Sequence, residues 1–328
     1  MCQIDAMTKG ARPWIGIDLG GTKVFGVVLH GEEVTAEAKR KTPVAAGLDG
    51  VVDTIAGVVA DLGGPGAAGG VGVGAPGVVD HTRGTVRRAP NLTGFDAEVE
   101  LGPLVSKALG GVDVRLDNDV NVGVLAEHRM GAARGARELL GVWVGTGVGG
   151  GVVLDGVVRR GPSGIAGEIG HTVVHPGGRI CGCGFPGHLE AYAGRGSMER
   201  EARERHAHGA PTALVDLADG GSGRKPGRMT SGVWAKALAA GDPVAEELID
   251  DAVIALGAAV VSAVTLLDLS VVVIGGGLGD KLGPSFAGRI EQAARDALYI
   301  RGFPLRVVSA QLGDRAGAIG AALMAAAG

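Results

Sequence analysis

The sequence Trp14-Ile15-Gly16-Ile17-Asp18-Leu19-Gly20-Gly21-Thr22-Lys23 decides how this chain folds. Its apolar first half predicts a buried strand over Trp14–Leu19, and its glycines predict a tight turn over residues 20–23. The apolar run Val24–Leu29 then predicts a returning strand, and Glu33–Lys41 predicts a third. An antiparallel meander of this kind differs from the strand–helix start of a dinucleotide-binding unit.

The same pattern recurs about 125 residues further along the chain. Leu139–Val144 predicts a strand, Gly145-Thr146-Gly147-Val148-Gly149-Gly150 a glycine turn, and Gly151–Leu154 a returning strand. Asp155-Gly156 is a strong signal for a second tight turn. Two copies of strand, Gly/Thr turn and strand predict a duplicated fold with a nucleotide between its halves.

Helices and strands alternate through the rest of the chain, which indicates an α/β protein. The stretch Gly209–Arg228 is rich in glycine and proline and is predicted to be a surface loop. The predicted helices are Asp49–Leu62, Val120–Met130, Ser197–His206, Ser231–Ala240, Pro243–Leu267 and Arg315–Ala326, and the predicted short strands are Val71–Val73, Asp113–Leu116 and Ser270–Ile274.

Composition narrows the class of protein. A chain of 328 residues with 46% apolar residues predicts two domains with substantial cores. Its net charge of −4 gives no sign of the basic surface that binding to nucleic acid requires. Three cysteines do not make a disulfide framework. The uncharged run Ala252–Leu267 is slightly short for a membrane span, so we expect a buried helix there. With no apolar signal segment at its start, the protein is expected to be cytoplasmic.

The glycine loops raise the question of phosphate binding. Residues 72–77 and 145–150 both fit G-x-G-x-x-G, but extended residues follow each of them where a dinucleotide site needs a helix. Backbone N–H groups of the two hairpin turns, with the hydroxyls of Thr22 and Thr146, are suited to hold phosphates. Asp18 is placed to hold Mg²⁺ through water. For either loop alone, a plain hairpin turn is the alternative.

Asp117-Asn118-Asp119-Val120-Asn121 lies between a predicted strand and a predicted helix. A carboxylate at the end of a strand can accept a hydroxyl proton while that oxygen attacks a phosphoryl group, which makes Asp119 a candidate general base. Asn118 and Asn121 carry donors and acceptors that suit sugar hydroxyls. The alternative for Asp119 is an ordinary helix N-cap.

Soft-metal ligands are concentrated between Gly164 and Gly194. Cys181 and Cys183 are two residues apart, and imidazoles and thiolates at such spacing suit a tetrahedral site that most often holds zinc. Carboxylates in the same segment can address a polar substrate. The histidines and carboxylates concerned are His171, His175, His188, Glu168 and Glu190.

In their order along the chain, these pieces resemble the ROK family (repressors, open reading frames and kinases) of the actin-like sugar-kinase superfamily. The resemblance extends from Ile15 over nearly the whole chain. Its carriers are the segments Asp18–Lys23, Gly74–Gly77, Asn91-Leu92, Asn118–Asn121, Gly145–Gly147, Gly167–His171, Cys181–Gly184, Leu189-Glu190 and Gly275–Gly277.

The resemblance implies an α/β fold of two domains, the actin-like ATPase (ribonuclease H-like) fold. Each domain would be a mixed sheet flanked by helices, with a cleft between the two. The first domain would comprise residues 1–118 and about 312–328, with the first phosphate loop and the closing helix. Residues 119–311 would form the larger domain, with the second phosphate loop, the zinc motif and the adenosine loop.

The resemblance also implies an ATP-dependent kinase that phosphorylates the 6-hydroxyl of a hexose, with Asp119 as general base and ATP, Mg²⁺ and structural Zn²⁺ as cofactors. The implied hexose contacts are Gly77, Asn91, Asn118, Asp119, Glu168, His171 and Glu190. The implied nucleotide contacts are Asp18, Gly20, Gly21, Thr22, Lys23, Gly145, Thr146, Gly147, Gly275, Gly276, Gly277 and Leu278.

The family's zinc ligands fall on His171, Cys181, Cys183 and His188. The last departs from the family pattern, which has cysteine there, but imidazole nitrogen is also a good zinc donor. A zinc-free loop is the alternative, and His175 is an alternative ligand at an off-pattern spacing.

Glucose is the hexose that the family's glucokinases suggest, because they share the set Glu168, His171 and Glu190. N-acetylglucosamine, N-acetylmannosamine, fructose and allose are alternatives, polyphosphate is an alternative donor, and a non-catalytic sugar sensor is an alternative of another class. Family repressors carry a DNA-binding segment before the first phosphate motif, whereas 17 residues precede Asp18 here. We therefore expect a homodimeric kinase with no nucleic acid or membrane partner.

Overall fold

The computed structural model describes residues 12–89, 92–220 and 227–327. The chain divides into two compact units. The first comprises the chain up to Gly135, Val157–Ala166 and the residues from Gln311 onward, and the second comprises Ala136–Gly156 and Gly167–Ala310. The division expected from the sequence differs, because it assigned residues 119–135 and 157–166 to the larger second domain, whereas here they belong to the first unit.

The first unit is built on a five-stranded mixed sheet in the order β3-β2-β1-β4-β7. β1 pairs antiparallel with β2 and parallel with β4, so the predicted opening meander is confirmed. A small hairpin, β5 with β6, lies between β4 and β7 in the chain. The strands are β1 (Trp14–Leu19), β2 (Lys23–His30), β3 (Glu33–Lys41), β4 (Val71–Ala75), β5 (Val78–Asp80), β6 (Thr85–Arg87) and β7 (Val114–Asn118).

The helices of the first unit are α1 (Gly47–Asp61), α2 (Leu101–Ala108), α3 (Asp119–Met130) and, from the far end of the chain, α10 (Ala316–Ala326). α10 lies against the sheet so closely that glycines are required beneath it. A Cβ atom on Gly16 would lie 1.9 Å from the Ala318 carbonyl oxygen, and one on Gly72 would lie 1.9 Å from that of Ala321. α3 belongs to this unit because it packs on α10, with Val122 of α3 against Ala321 of α10.

In the second unit, β8 pairs antiparallel with β9 and parallel with β11, which repeats the arrangement of β1, β2 and β4. β12 extends this sheet in parallel beside β11. After β9 the chain turns at Asp155-Gly156 into β10, which the division places in the first unit. The strands are β8 (Leu139–Val144), β9 (Val148–Leu154), β10 (Val157–Arg159), β11 (Val271–Gly275) and β12 (Arg306–Ser309).

Six helices described in the second unit surround its sheet: α4 (Glu190–Ala193), α5 (Arg195–Ala207), α6 (Leu214–Asp219), α7 (Ser231–Ala239), α8 (Pro243–Leu267) and α9 (Gly276–Ala297). α8 is the one helix among the described residues that is long and apolar enough to cross a membrane. More than half of its apolar window is buried inside the protein, where it contributes Leu248, Leu256 and Val260 to the core. The predicted buried helix is therefore confirmed.

The structure differs from the local predictions in several places. The second glycine turn is shorter than predicted, since β9 begins at Val148. The predicted loop Gly209–Arg228 contains helix α6, and residues 221–226 lie outside the described part of the chain. Helix α9 was not predicted, because it begins with glycines and is interrupted by a kink at Gly283-Pro284.

Candidate functional site

The first glycine turn joins β1 to β2 and is held in place from the end of β3. The Gly20 backbone N–H donates to the Lys23 carbonyl at 3.0 Å, and the Thr42 hydroxyl donates to the Gly20 carbonyl at 2.6 Å. Gly21 and Thr22, at the tip of the turn, are exposed. Their backbone N–H groups and the Thr22 hydroxyl are thus presented on a rigid turn, as an anion-binding loop requires.

Carboxylates surround this first turn. Lys23 Nζ lies 2.6 Å from Asp314 Oδ2, and its ammonium group also lies 5.5 Å from the centre of the Phe25 ring. Part of Asp18 remains accessible to solvent, yet the protein removes most of the water around its carboxyl group. This burial raises the pKa of Asp18 to about 7; the charges of Asp119 and Asp314 act in the same direction, and Lys23 opposes them.

Asn118 caps helix α3. Its side-chain oxygen accepts from the backbone N–H groups of Val120 at 2.9 Å and Asn121 at 3.2 Å. Asp119 is the first residue of the helix, and its Oδ1 also lies 2.9 Å from the Val120 nitrogen. Because Asn118 occupies the N-cap position, capping does not account for Asp119, and the alternative that Asp119 is the N-cap is wrong.

Asp117 anchors the strand end from which this pair projects. The buried Asp117 carboxylate accepts from Arg160 Nε at 2.7 Å, from the Asn118 backbone N–H at 2.8 Å and from Asn121 Nδ2 at 3.1 Å. Asn121 is itself buried in this contact, so it belongs to the support of the site rather than to its surface. The sequence reasoning missed Arg160, which lies 43 residues from Asp117.

Gly77 and Asn118, both predicted to contact the hexose, are adjacent in the structure. Asn118 Nδ2 donates to the Gly77 carbonyl at 3.0 Å, so one amide side chain ties the end of β7 to the turn after β4. The predicted hexose contact Asn91 lies outside the described residues.

The second glycine turn joins β8 to β9 and is held by the first residues of α5. The Gly145 N–H donates to the Gly147 carbonyl at 2.9 Å, and the Gly196 N–H donates to the Thr146 carbonyl at 2.9 Å. The side chain of Arg195 then donates to the Thr146 hydroxyl at 2.9 Å. A guanidinium group from α5 therefore contacts this turn directly.

Glu190, a predicted hexose contact, also supports this turn. Its Oε2 accepts from the Val148 backbone N–H at 2.9 Å, and its Oε1 lies 3.5 Å from Cys181 Sγ. A Cβ atom on Gly147 would lie 2.2 Å from Glu190 Oε2, so only glycine allows this approach. Glu190 therefore connects the second turn with the cysteine segment.

Glu168 and His171 lie near Glu190 in the same unit. Burial raises the pKa of Glu168; the charge of His171 opposes this, and that of Glu190 adds to it. Two carboxylates and an imidazole so grouped offer several acceptors to a ligand with many hydroxyl groups.

The predicted zinc ligands come together. One possible ligand atom from each of His171, Cys181, Cys183 and His188 lies within 4.8 Å of all the others, and Cys183 Sγ lies 3.2 Å from His188 Nδ1. Two sulfurs and two imidazole nitrogens fit tetrahedral zinc, whose bonds of about 2.0–2.3 Å need only small side-chain shifts from these positions. His175 is not part of the cluster and stacks on Tyr192 instead.

The predicted adenosine loop lies at the junction of β11 and α9. Gly277 lies close to Ser231, the first residue of α7, since a Cβ atom on Gly277 would lie 3.6 Å from Ser231 Oγ. Leu278 is fully buried in the core of the second unit, so its side chain cannot border a nucleotide. The predicted nucleotide contact at Leu278 therefore stays a prediction and falls to its backbone, because the side chain lies on the inner face of α9.

The predicted site residues that the structure describes fall into two groups, one in each unit. Asp18, the first turn, Gly77, Asn118 and Asp119 lie in the first unit, and the second turn, Glu168, Glu190, the cysteine–histidine cluster and Gly275–Gly277 lie in the second. Sequence reasoning missed Thr42, Asp314, Arg195 and Ser231. Of these only Arg195 has a local signal, because it stands between two glycines directly after the Glu190 segment.

Comparison with known proteins agrees with this geometry. The chain is 35% identical over 320 residues to the glucokinase of Streptomyces coelicolor, covering 95% of this chain and 96% of that protein. It is 34% identical over 312 residues to the glucokinase of Thermotoga maritima, covering 94% and 95% respectively. The ROK family glucokinase of Streptomyces griseus, solved with glucose and AMPPNP, superposes with a TM-score of 0.79 at 33% identity over 95% of this chain and 98% of that one.

Two mixed sheets flanked by helices and this structural likeness define an α/β protein of the actin-like ATPase fold. The ROK family profile matches residues 14–327, and the chain belongs to that family. The resemblance expected from the motifs is therefore confirmed.

Proposed function

We propose that this protein transfers the γ-phosphoryl group of ATP to the 6-hydroxyl of a hexose, and that the hexose is glucose. The arrangement of Asn118 and Asp119 carries the proposal, since Asn118 caps α3 and ties it to Gly77 while Asp119 opens the helix as a carboxylate. Identity of 34–35% with two glucokinases over most of the chain supports the choice of glucose.

In the proposed mechanism, Asp119 accepts the proton of the hexose 6-hydroxyl as that oxygen forms a bond to the γ-phosphorus. The bond from phosphorus to the bridging oxygen breaks, and ADP leaves with that oxygen. Asn118, Glu168, His171 and Glu190 orient the sugar through its hydroxyl groups. Mg²⁺, when bound near Asp18, would offset the charge of the phosphates.

The test is a coupled assay of ADP release with ATP and a panel of glucose, N-acetylglucosamine, N-acetylmannosamine, fructose and allose. We expect the highest kcat/KM with glucose. A higher value for another hexose would contradict the substrate assignment. No release with any of them, together with measurable sugar binding, would instead support a non-catalytic sugar sensor.

We also propose a structural zinc ion held by His171, Cys181, Cys183 and His188, which fixes the segment that carries His171 and Glu190. Elemental analysis of the purified protein should give about one zinc per chain. His188→Cys should keep the metal, whereas His188→Ala should lose most of it. A metal-free wild-type protein would refute the site.

The protein is further proposed to be a cytoplasmic homodimer without a nucleic acid or membrane partner, as its family resemblance and net charge suggest. Light scattering of the purified chain should give twice the monomer mass of 32.6 kDa. A monomeric mass at micromolar concentration would contradict the dimer.

A further inference from the structure

Arg195 occupies an unusual position in the second unit. It is the first residue of α5, and its guanidinium group donates to two hydroxyls, Thr146 Oγ at 2.9 Å and Ser231 Oγ at 3.1 Å. Its backbone N–H donates to the Gly145 carbonyl at 3.0 Å. Arg195 therefore joins the second glycine turn to the start of helix α7.

Three helix N-termini meet around this guanidinium group. α5 begins at Arg195 and α7 at Ser231, while Gly277 in the first turn of α9 approaches Ser231 Oγ. Each N-terminus carries partial positive charge, which favours anions and disfavours arginine. A second arginine, Arg228, adds its charge to the same place, and the pKa of Arg195 is lowered first by burial and then by Arg228.

Nearby carboxylates do not balance this charge directly. Within the described residues, no carboxylate lies at ion-pair distance from Arg195. Glu199 is the acidic group that acts on it electrostatically, but its oxygens bind Arg203 Nη2 at 3.1 Å and the Met229 backbone N–H at 3.1 Å. Such an arrangement is unfavourable by itself and becomes favourable when an anion binds.

The contact with Thr146 indicates where that anion would bind. Because the Thr146 oxygen accepts from Arg195, its own O–H is oriented away from the guanidinium group and remains able to donate. The hydroxyl and the guanidinium group thus present donors together beside the turn.

We propose that Arg195, assisted by Arg228, binds the phosphate chain of the phosphoryl donor at the second glycine turn and aligns the Thr146 hydroxyl with it. This inference rests on the proposed kinase function and names the donor chemistry of that same site: a linear polyphosphate chain, carried either by a nucleoside triphosphate or by inorganic polyphosphate.

The experiment compares Arg195→Gln, Arg195→Lys and Arg228→Gln with the wild type. Arg205→Gln is the matched control, since Arg205 lies on the same helix and is paired with Glu201 and Glu247. We expect Arg195→Gln to raise the KM for ATP by about tenfold or more and to leave the KM for glucose within about twofold. Arg195→Lys should recover part of this loss, Arg228→Gln should have a smaller effect, and Arg205→Gln none.

Direct binding distinguishes the phosphate chain from the nucleoside. Calorimetry with inorganic tripolyphosphate, ATP and adenosine should show weaker binding of the first two to Arg195→Gln, with adenosine unchanged. A tripolyphosphate-specific loss with ATP binding unchanged would identify inorganic polyphosphate as the donor, and a loss for both probes identifies the shared phosphate subsite.

Unchanged binding of both phosphate probes, or an equal loss in Arg205→Gln, would overturn the proposal. If Arg195→Gln does not fold, Arg195→Lys and Arg228→Gln decide by the same criteria. If no hexose stimulates ADP release but tripolyphosphate binding depends on Arg195, the kinase function fails and the anion site stands. If the kinase is active and its KM for ATP does not change in Arg195→Gln, the proposed anion site is wrong while the kinase function stands.

Discussion

The first glycine turn, Gly20–Thr22, and the second, Gly145–Gly147, stand in equivalent places of two similar sheets. In each, an antiparallel pair of strands meets at the turn, and the leading strand also pairs in parallel with the next strand of its sheet. The charged groups around them differ: Asp18, Asp119 and Asp314 surround the first beside Lys23, whereas Arg195 and the Glu190 carboxylate contact the second.

With these different side chains, one backbone plan is suited to two roles. A turn rich in nearby carboxylates suits a divalent cation and a proton acceptor. A turn beside helix N-termini and arginine suits a polyanion. The backbone supplies the shape in both units, and side chains brought from distant parts of the chain decide the chemistry.

The largest effect is expected from the carboxylate side. Asp119→Asn removes the proposed proton acceptor, so kcat should fall by about 10³-fold while the dissociation constant for glucose stays within a few fold. Steady-state assays and calorimetry measure the two quantities. Substantial residual turnover would exclude Asp119 as the base, and Asp113→Asn, on an exposed carboxylate before β7, is the control that should keep full activity.

Removal of zinc should affect the second turn and spare the first. A chelator is expected to lower the melting temperature by on the order of 10 °C, because folding of the cysteine–histidine segment is coupled to the metal. Hydrogen exchange should accelerate in residues 145–194 and remain slow in Ile15–Leu19. Equal acceleration in both regions would mean that the metal supports the whole chain rather than the second turn.

Gly147→Ala should lower kcat/KM for glucose by about 10- to 100-fold, because the added methyl group displaces the Glu190 carboxylate from the Val148 N–H. Gly20→Ala meets only the Lys23 carbonyl at 3.1 Å and should have a smaller effect. Assaying both variants side by side tests the comparison, which fails if Gly20→Ala is the more damaging change.

Asp18→Asn should stabilise the protein while lowering its activity. A carboxyl group whose folded-state pKa is about 7 keeps its proton longer than in the unfolded chain, so the wild type loses stability as pH rises from about 4 to about 7. The variant should melt about 2–5 °C higher above pH 7 without Mg²⁺, and no higher near pH 4. A lower melting temperature at pH 8 would contradict the assigned environment.

Much of this architecture follows from local sequence. The strands Trp14–Leu19, Glu33–Lys41 and Leu139–Val144 and the helix Pro243–Leu267 have the predicted bounds. Two of these strands are apolar runs that end directly before a glycine, and Asp242 caps the helix. Helix α9 could not be predicted in this way. Its glycine-rich start and its kink at Gly283-Pro284 are local signals against a helix, and packing on β12 and α8 overrides them.

In the candidate site, too, the features formed by residues close in sequence were predicted and those formed by distant residues were not. The glycine turns and the cysteine–histidine cluster were predicted because their residues are close in sequence. The long-range support of the site was not predicted, because Thr42, Arg160, Arg195 and Ser231 reach their partners across 22 to 49 residues. Nothing in a local pattern indicates such contacts.

Helix α10 also determines the order in which the two units are completed during synthesis. The residues of the second unit, 136–156 and 167–310, emerge from the ribosome before Ala316–Ala326. Until that last helix arrives, the sheet face around Gly16 and Gly72 has no cover, although its own strands were made first. The first unit, which carries Asp119, therefore cannot bury this sheet face before the residues of the second unit have been made.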